Sequence, residues 1–157
     1  MASVEAQGVE GMKALVGQEV GPSDWRTVTQ ADIDAFADLS GDHQWIHVDP
    51  ERAKNESPYG TTIAHGNLTL AMIDGFREKL ISSTGFALGV NYGWNKVRFP
   101  APVPVDSRIR VRSELISFEE VGGGWWQAVT RFTVEVEGAE KPSFVGDSVT
   151  RVMAPAE

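Results

Sequence analysis

Apolar residues recur along this chain with two periods, and the change from one to the other divides it. Through the first half they return every three or four positions, the mark of helices packed by one face; beyond Gly85 they alternate, the mark of half-buried strands. Val9, Met12, Leu15 and Val16 predict a short helix over 9–16 that Gly17 ends, and Gly21-Pro22-Ser23 reads as a turn before an extended piece over 25–28. Thr29 is an N-cap candidate with Asp32 three residues on, and Ile33, Phe36 and Ala37 form the stripe of a helix that stops at Ser40-Gly41. Asp49 and Pro50 suit the cap and first position of a short surface helix over 51–55, closed by the loop 57–60.

From Gly66 the stripe is Leu68, Ala71, Met72, Gly75 and Phe76, with Leu70 and Ile73 adding apolar surface on the other side. A helix apolar nearly all round is buried, so this is the expected central helix, with Arg77, Glu78 and Lys79 marking its emergence into water. Period two then predicts a strand over 88–99, with Trp94, Lys96 and Arg98 on one face and Asn95, Val97 and Phe99 on the other. Pro100, Pro102 and Pro104 interrupt backbone donation and suit a sheet edge or extended connection. Ile109, Val111 and Leu115 alternate with Arg108, Arg110, Arg112 and Glu114; the glycines 122–124 make a hairpin turn; Trp126, Ala128, Phe132, Val134 and Val136 line a further strand. After a turn over 138–142, residues 144–153 form the last strand. Helices followed by an antiparallel meander predict an α+β architecture in which a sheet wraps one helix.

Composition adds limits. The 157 residues, 41% hydrophobic and 23% charged, suit one unit over 1–157 with its own core. A formal charge of −8 argues against a nucleic-acid partner, which needs a basic surface. No apolar run reaches membrane-spanning length, and residues 1–11 lack a basic segment followed by an apolar one, so neither a membrane partner nor a secretory leader is expected. The absence of cysteine removes disulfides and thiolate metal sites and fits a cytoplasmic location.

The unusual chemistry lies in 40–66, which holds all three histidines, His43, His47 and His65, with Asp42, Asp49, Gly41 and Gly66. Three readings compete. His43 and His47, four apart, could bind a metal with Asp42 or Asp49, although the Gly41 break and Trp45-Ile46 do not look like a regular helix. Each residue alone could serve packing: Asp42 capping a turn, His47 a satisfied buried histidine, Gly66 a packing glycine. Alternatively, Asp42 and His47 could hold one water between them for acid–base chemistry, imidazole titrating near neutrality. The free N–H groups at Gly66, opening the central helix, would then suit an oxygen gaining negative charge. That equipment fits addition of water to an α,β-unsaturated carbonyl, or the reverse.

The string Ser40-Gly41-Asp42, Ile46-His47-Val48-Asp49, Ala53 and Ile63-Ala64-His65-Gly66 resembles the hydratase motif of MaoC-like dehydratases, which include the (R)-specific enoyl-CoA hydratases. Gln44-Trp45, and the later Asn91-Tyr92-Gly93 and Arg98-Phe99-Pro100-Ala101-Pro102-Val103, look like the NodN-like branch. The resemblance implies the hot-dog fold, a long helix wrapped by an antiparallel sheet, and a homodimer. It implies Asp42 and His47 as the catalytic dyad and the Gly66 N–H as donor to the thioester carbonyl, with no metal or redox cofactor and coenzyme A only as part of the substrate. His65 is left a structural hydrogen-bonding role. Asp74 stands where some relatives carry a serine near the catalytic water, and Asn67 where a methionine is common; both depart from the pattern.

The expected function is hydration of a trans-2-enoyl thioester, carried by coenzyme A or an acyl-carrier protein. The alternatives are an acyl-CoA thioesterase of the same fold and a non-catalytic acyl-thioester-binding module. Lys96, Arg98, Arg108, Arg110 and Arg112 could meet coenzyme A phosphates, but on the wet face of a strand they read first as solvated charges.

Overall fold

The computed structural model describes residues 3–156; the start of the 1–11 segment and the last residue of the 1–157 unit lie outside them. Its elements run β1 (Val4–Gln7), α1 (Gly8–Leu15), β2 (Glu19–Val20), β3 (Arg26–Thr27), α2 (Gln30–Ser40), α3 (Trp45–Val48), α4 (Pro50–Glu56), α5 (Gly66–Leu80), β4 (Ile81–Thr84), β5 (Leu88–Arg98), β6 (Arg108–Gly122), β7 (Trp125–Val136) and β8 (Phe144–Met153). An antiparallel sheet runs in the order β2-β6-β7-β8-β5, with β3 also on β6, and β1 pairs in parallel with β4 to one side.

The expected helices form for the expected reasons. The Thr29 hydroxyl accepts from the Asp32 N–H (3.2 Å) while the Asp32 carboxylate accepts from the Thr29 N–H (3.0 Å), so the capping box opening α2 is complete. Gly41 ends that helix at φ 79°, a left-handed conformation glycine adopts without a Cβ clash. Asp49 accepts from the Arg52 N–H (3.0 Å) to cap α4, with Pro50 in its first turn. One feature was not legible: Trp45 to Val48 forms a single helical turn, although the segment does not read as helix.

Helix α5 buries Leu68, Met72, Ile73, Phe76 and Leu80 in one cluster with Ile109, Val111, Phe132, Val134 and Phe144 of the sheet. Each such side chain contributes roughly 1.5–3 kcal/mol of hydrophobic stabilisation, so this cluster sets where the N-terminus of α5 sits. A second cluster, Ala6, Met12, Leu15, Leu115, Phe118 and Ala128, fastens α1 over the far end of the same sheet.

Two details differ from the reading by periodicity. On β5, strict alternation separates Trp94 from Val97, yet both pack against the main core. The register with β8 breaks between Asn95 and Arg98, where Lys96 takes φ 56°, and this irregularity returns the strand to the same face. Arg77 does not mark the emergence of α5 into water. Its guanidinium lies over the Phe132 ring (4.9 Å) and donates to Ser148 Oγ (2.7 Å), with its Nε buried and without a partner among the described residues. Burial lowers its affinity for a proton, and Asp74 at 3.6 Å compensates only in part. Replacing this incompletely paired charge by a flexible apolar side chain removes a desolvation penalty. Arg77→Met is therefore expected to leave stability unchanged or raise it by about 1 kcal/mol in a denaturant titration; a loss of several kcal/mol would show the guanidinium to be net stabilising.

Candidate active site

The segment between α2 and α5 folds back so that its chemistry meets the first turn of α5. After Gly41 the chain is held in a tight turn: the Asp42 N–H donates to Ser40 Oγ (3.3 Å) and the Asp42 carboxylate accepts from the Gln44 N–H (3.3 Å). The Asp42 side chain remains exposed. The single turn of α3 then carries His47 inward, where it is only 6% exposed.

His47 is fixed from two sides. Its Nδ1–H donates to the Ile63 carbonyl (2.7 Å). Since a carbonyl can only accept, the proton is on Nδ1 and Nε2 carries the free lone pair, the form a general base needs. Behind it, the Gln30 amide donates to the His47 carbonyl (2.7 Å) and accepts from the Thr62 hydroxyl (2.6 Å). Gln30 thus joins the start of α2, the α3 turn and the segment bearing Ile63. Sequence reading missed Gln30 and Thr62, because a glutamine at the start of a helix and the second of two threonines after a loop look like ordinary surface residues.

His47, Ile63, Ala64, Gly66 and Thr69 line one cavity of about 370 Å³, closed on the other side by Phe99 and the segment 100–103. Gly66 is the first residue of α5, so its N–H falls in the turn where the helix supplies no acceptor, at the positive end of the helix dipole. A Cβ at this position would stand 3.0 Å from the Phe99 ring, so a larger residue would require that ring to shift.

One carboxylate oxygen of Asp42 and one ring nitrogen each of His47 and His65 lie within 4.8 Å of one another. A water accepting and donating bonds of about 2.8 Å spans such a gap. The proposed metal partners are otherwise engaged. His43 is exposed and bonded to Asp38 (2.9 Å), and Asp49 caps α4. The His47 and His65 rings stack with centroids 3.8 Å apart and planes 24° from parallel. A neutral imidazole offers one lone pair in its own ring plane, so the two stacked planes set these lone pairs side by side.

Asp74 lies elsewhere. It is exposed, and with Arg77, Phe132 and Val90 it lines a separate cavity of about 400 Å³. Neither Asp74 nor Asn67 lines the cavity that holds His47 and Gly66. The arginines of β6 are spent on acids: Arg108 on Glu137, Arg110 and Arg112 on Glu135, and Arg112 also on Glu19.

A family model described as "MaoC like domain" matches residues 12–136. The chain belongs to the MaoC-like dehydratase family. It is a hydro-lyase with the hot-dog α+β fold of that family. It is 51% identical over 148 residues to 3-hydroxyacyl-thioester dehydratase Z of Mycobacterium tuberculosis, covering 94% of this chain and 97% of that protein. It is 42% identical over 139 residues to Nodulation protein N of Rhizobium leguminosarum, covering 86% of this chain and 84% of that protein, in keeping with the NodN-like features of 44–45 and 91–103. Among solved structures it resembles the unliganded R-hydratase PhaJ1 of Pseudomonas aeruginosa, with a TM-score of 0.65 and 26% identity over 90% of this chain and 83% of that one.

In this MaoC-like protein, burial holds His47 below the ordinary imidazole value; the Ile63 carbonyl opposes this, His65 adds to it and Asp42 opposes it. With the folded-state value depressed, the unfolded chain binds the extra proton first. The contribution of His47 to stability is therefore full above about pH 6.5 and is lost as pH falls through its folded-state value. His43 runs the other way, raised chiefly by Asp38, but that pair is exposed and screened by salt. In moderate salt the stability of the wild type is expected to fall from pH 7 to 5 more steeply than that of His47→Asn; parallel curves would contradict a neutral buried His47.

Proposed function

We propose that this enzyme adds water reversibly across the double bond of a trans-2-enoyl thioester, giving a 3-hydroxyacyl thioester of R configuration. The observation that carries the reading is the convergence of His47 and the Gly66 end of α5 on one cavity, with the Asp42 carboxylate close to the His47 ring. In this reading Asp42 and His47 hold one water. Nε2 of His47 takes its proton as the oxygen bonds to C3, and the C2–C3 electron pair moves into the thioester, leaving negative charge on the carbonyl oxygen. The Gly66 N–H and the α5 dipole stabilise that oxygen. The proton held by the dyad then returns to C2, so H and OH are added in balance. The reaction needs no metal or redox cofactor.

The thioester substrate and the R configuration are supported by the names of the mycobacterial and Pseudomonas relatives. Coenzyme A or an acyl-carrier protein is the proposed carrier, and the proposed setting is cytoplasmic. No helix among the described residues is long and apolar enough to cross a membrane. A homodimer through β5 belongs to the same reading. Among the described residues this edge strand pairs only with β8 and exposes Leu88, Val90 and Tyr92.

Incubation with enoyl-CoA and with saturated acyl-CoA, following enone absorbance and free thiol together, separates the alternatives. Hydration without thiol release is expected, with the R product on chiral chromatography. Thiol release from both substrates would establish the thioesterase instead, and saturable binding without either reaction the non-catalytic module.

A further inference from the structure

We propose that His65 is a positioning residue for the water site, tying Asp42, His47 and the first turn of α5 into one unit. This rests on the hydratase reading above. Its Nε2–H donates to the Asp42 carbonyl (2.9 Å), its ring face lies on His47, and Phe36 meets it at a tilt with centroids 5.0 Å apart. Its main chain is the N-cap of α5, with its carbonyl accepting from the Thr69 N–H (3.2 Å), and the next residue is Gly66.

Packing alone does not explain an imidazole here. The side chain is 3% exposed and its Nδ1 is sealed from solvent with no partner among the described residues, a penalty a phenylalanine would avoid. An amide could donate to the Asp42 carbonyl but would offer no aromatic face to His47. The imidazole does both at once. The Ile63 carbonyl fixes one edge of the His47 ring, and the His65 face fixes its plane, so Nε2 has one direction left. The turn bearing Asp42 is pinned from the same ring.

The tautomer follows. Nε2 donates to a carbonyl, so neutral His65 keeps its lone pair on Nδ1, and a proton there would be a buried donor with no acceptor. The titratable groups against the ring are Asp42 and His47, while Phe36 and Thr69 bring none. With that edge bonded to the Asp42 carbonyl, the ring face of His65 covers one face of His47.

Two variants separate its contacts. His65→Phe keeps an aromatic face and loses the donor; His65→Gln keeps a donor and uncovers His47. Both are expected to lower kcat by about 10²-fold with KM changed less than about threefold, because misplacing catalytic groups acts on the reacting geometry. The acid limb of the kcat/KM profile is expected to move upward in His65→Gln, where His47 gains water, and to move less in His65→Phe, which keeps His47 covered and removes only the smaller contribution of the His65 imidazole. In the wild type, ¹⁵N spectra of the imidazoles are expected to show the Nε2–H tautomer for His65. That reading needs no variant to fold. Wild-type kcat and profile in both variants, or the Nδ1–H tautomer for His65 in the folded protein, would overturn the inference. Inactive wild type would instead remove the hydratase reading itself.

Discussion

A His47→Asn enzyme is expected to lose about 10³-fold in kcat for enoyl thioester hydration while remaining folded. The substitution separates the two edges of one ring. An asparagine amide nitrogen occupies nearly the place of Nδ1 and can still donate to the Ile63 carbonyl, the bond that secures the buried side chain. It has nothing at the place of Nε2, the atom proposed to take the proton from water. Asp42→Asn is expected to fall by a comparable factor, because an amide can accept from the water but lacks the charge that supports an imidazolium beside it. Asp42 is exposed, so its replacement carries little folding penalty. The two losses should not add. Residues that grip one water act as a unit, and the double variant is expected to resemble the worse single one. Circular dichroism and denaturant midpoints distinguish lost chemistry from lost fold.

The second large effect concerns a backbone atom. Proline at the first position of a helix forfeits only an N–H the helix does not use, and His65 before it already has φ −61° and ψ 139°, the extended conformation that precedes proline. Gly66→Pro should therefore fold, yet it removes the proposed oxyanion donor. The expected loss is about 10²–10³-fold in kcat. Gly66→Ala supplies the control. It places the same Cβ 3.0 Å from the Phe99 ring but keeps the N–H. Phe99 is 44% exposed and has room to shift, so the alanine variant should lose far less. Equal activity of the two variants would show that space at Gly66, not its N–H, is what the reaction uses.

What could be read from the sequence was what short-range chemistry encodes. The capping box at Thr29 and Asp32, the Asp49-Pro50 start of α4 and the apolar stripe of α5 are all local, and each forms as the residues indicate. Asp42, His47 and Gly66 were singled out by spacing and resemblance; the fold sets the Asp42 carboxylate close to the His47 ring and places His47 and Gly66 on one cavity. The rest depended on contacts distant in sequence. Gln30 serves His47 across seventeen positions and Thr62 across thirty-two. Arg77 turns inward because Phe132 and Ser148, on strands far along the chain, give it a surface and an acceptor. The β1–β4 pair escaped notice because Val4–Gln7 is too short to show a period and its partner follows α5 without a break.

The central claim is that this cavity hydrates an enoyl thioester through Asp42 and His47. Its most direct test is the initial rate of absorbance loss with a short trans-2-enoyl-CoA, measured for the wild type, Asp42→Asn and His47→Asn at matched folded concentration. Rapid loss is expected for the wild type, with rates about 10³-fold lower for both variants. An inactive wild type across a series of chain lengths, or variants as fast as the wild type, would contradict it.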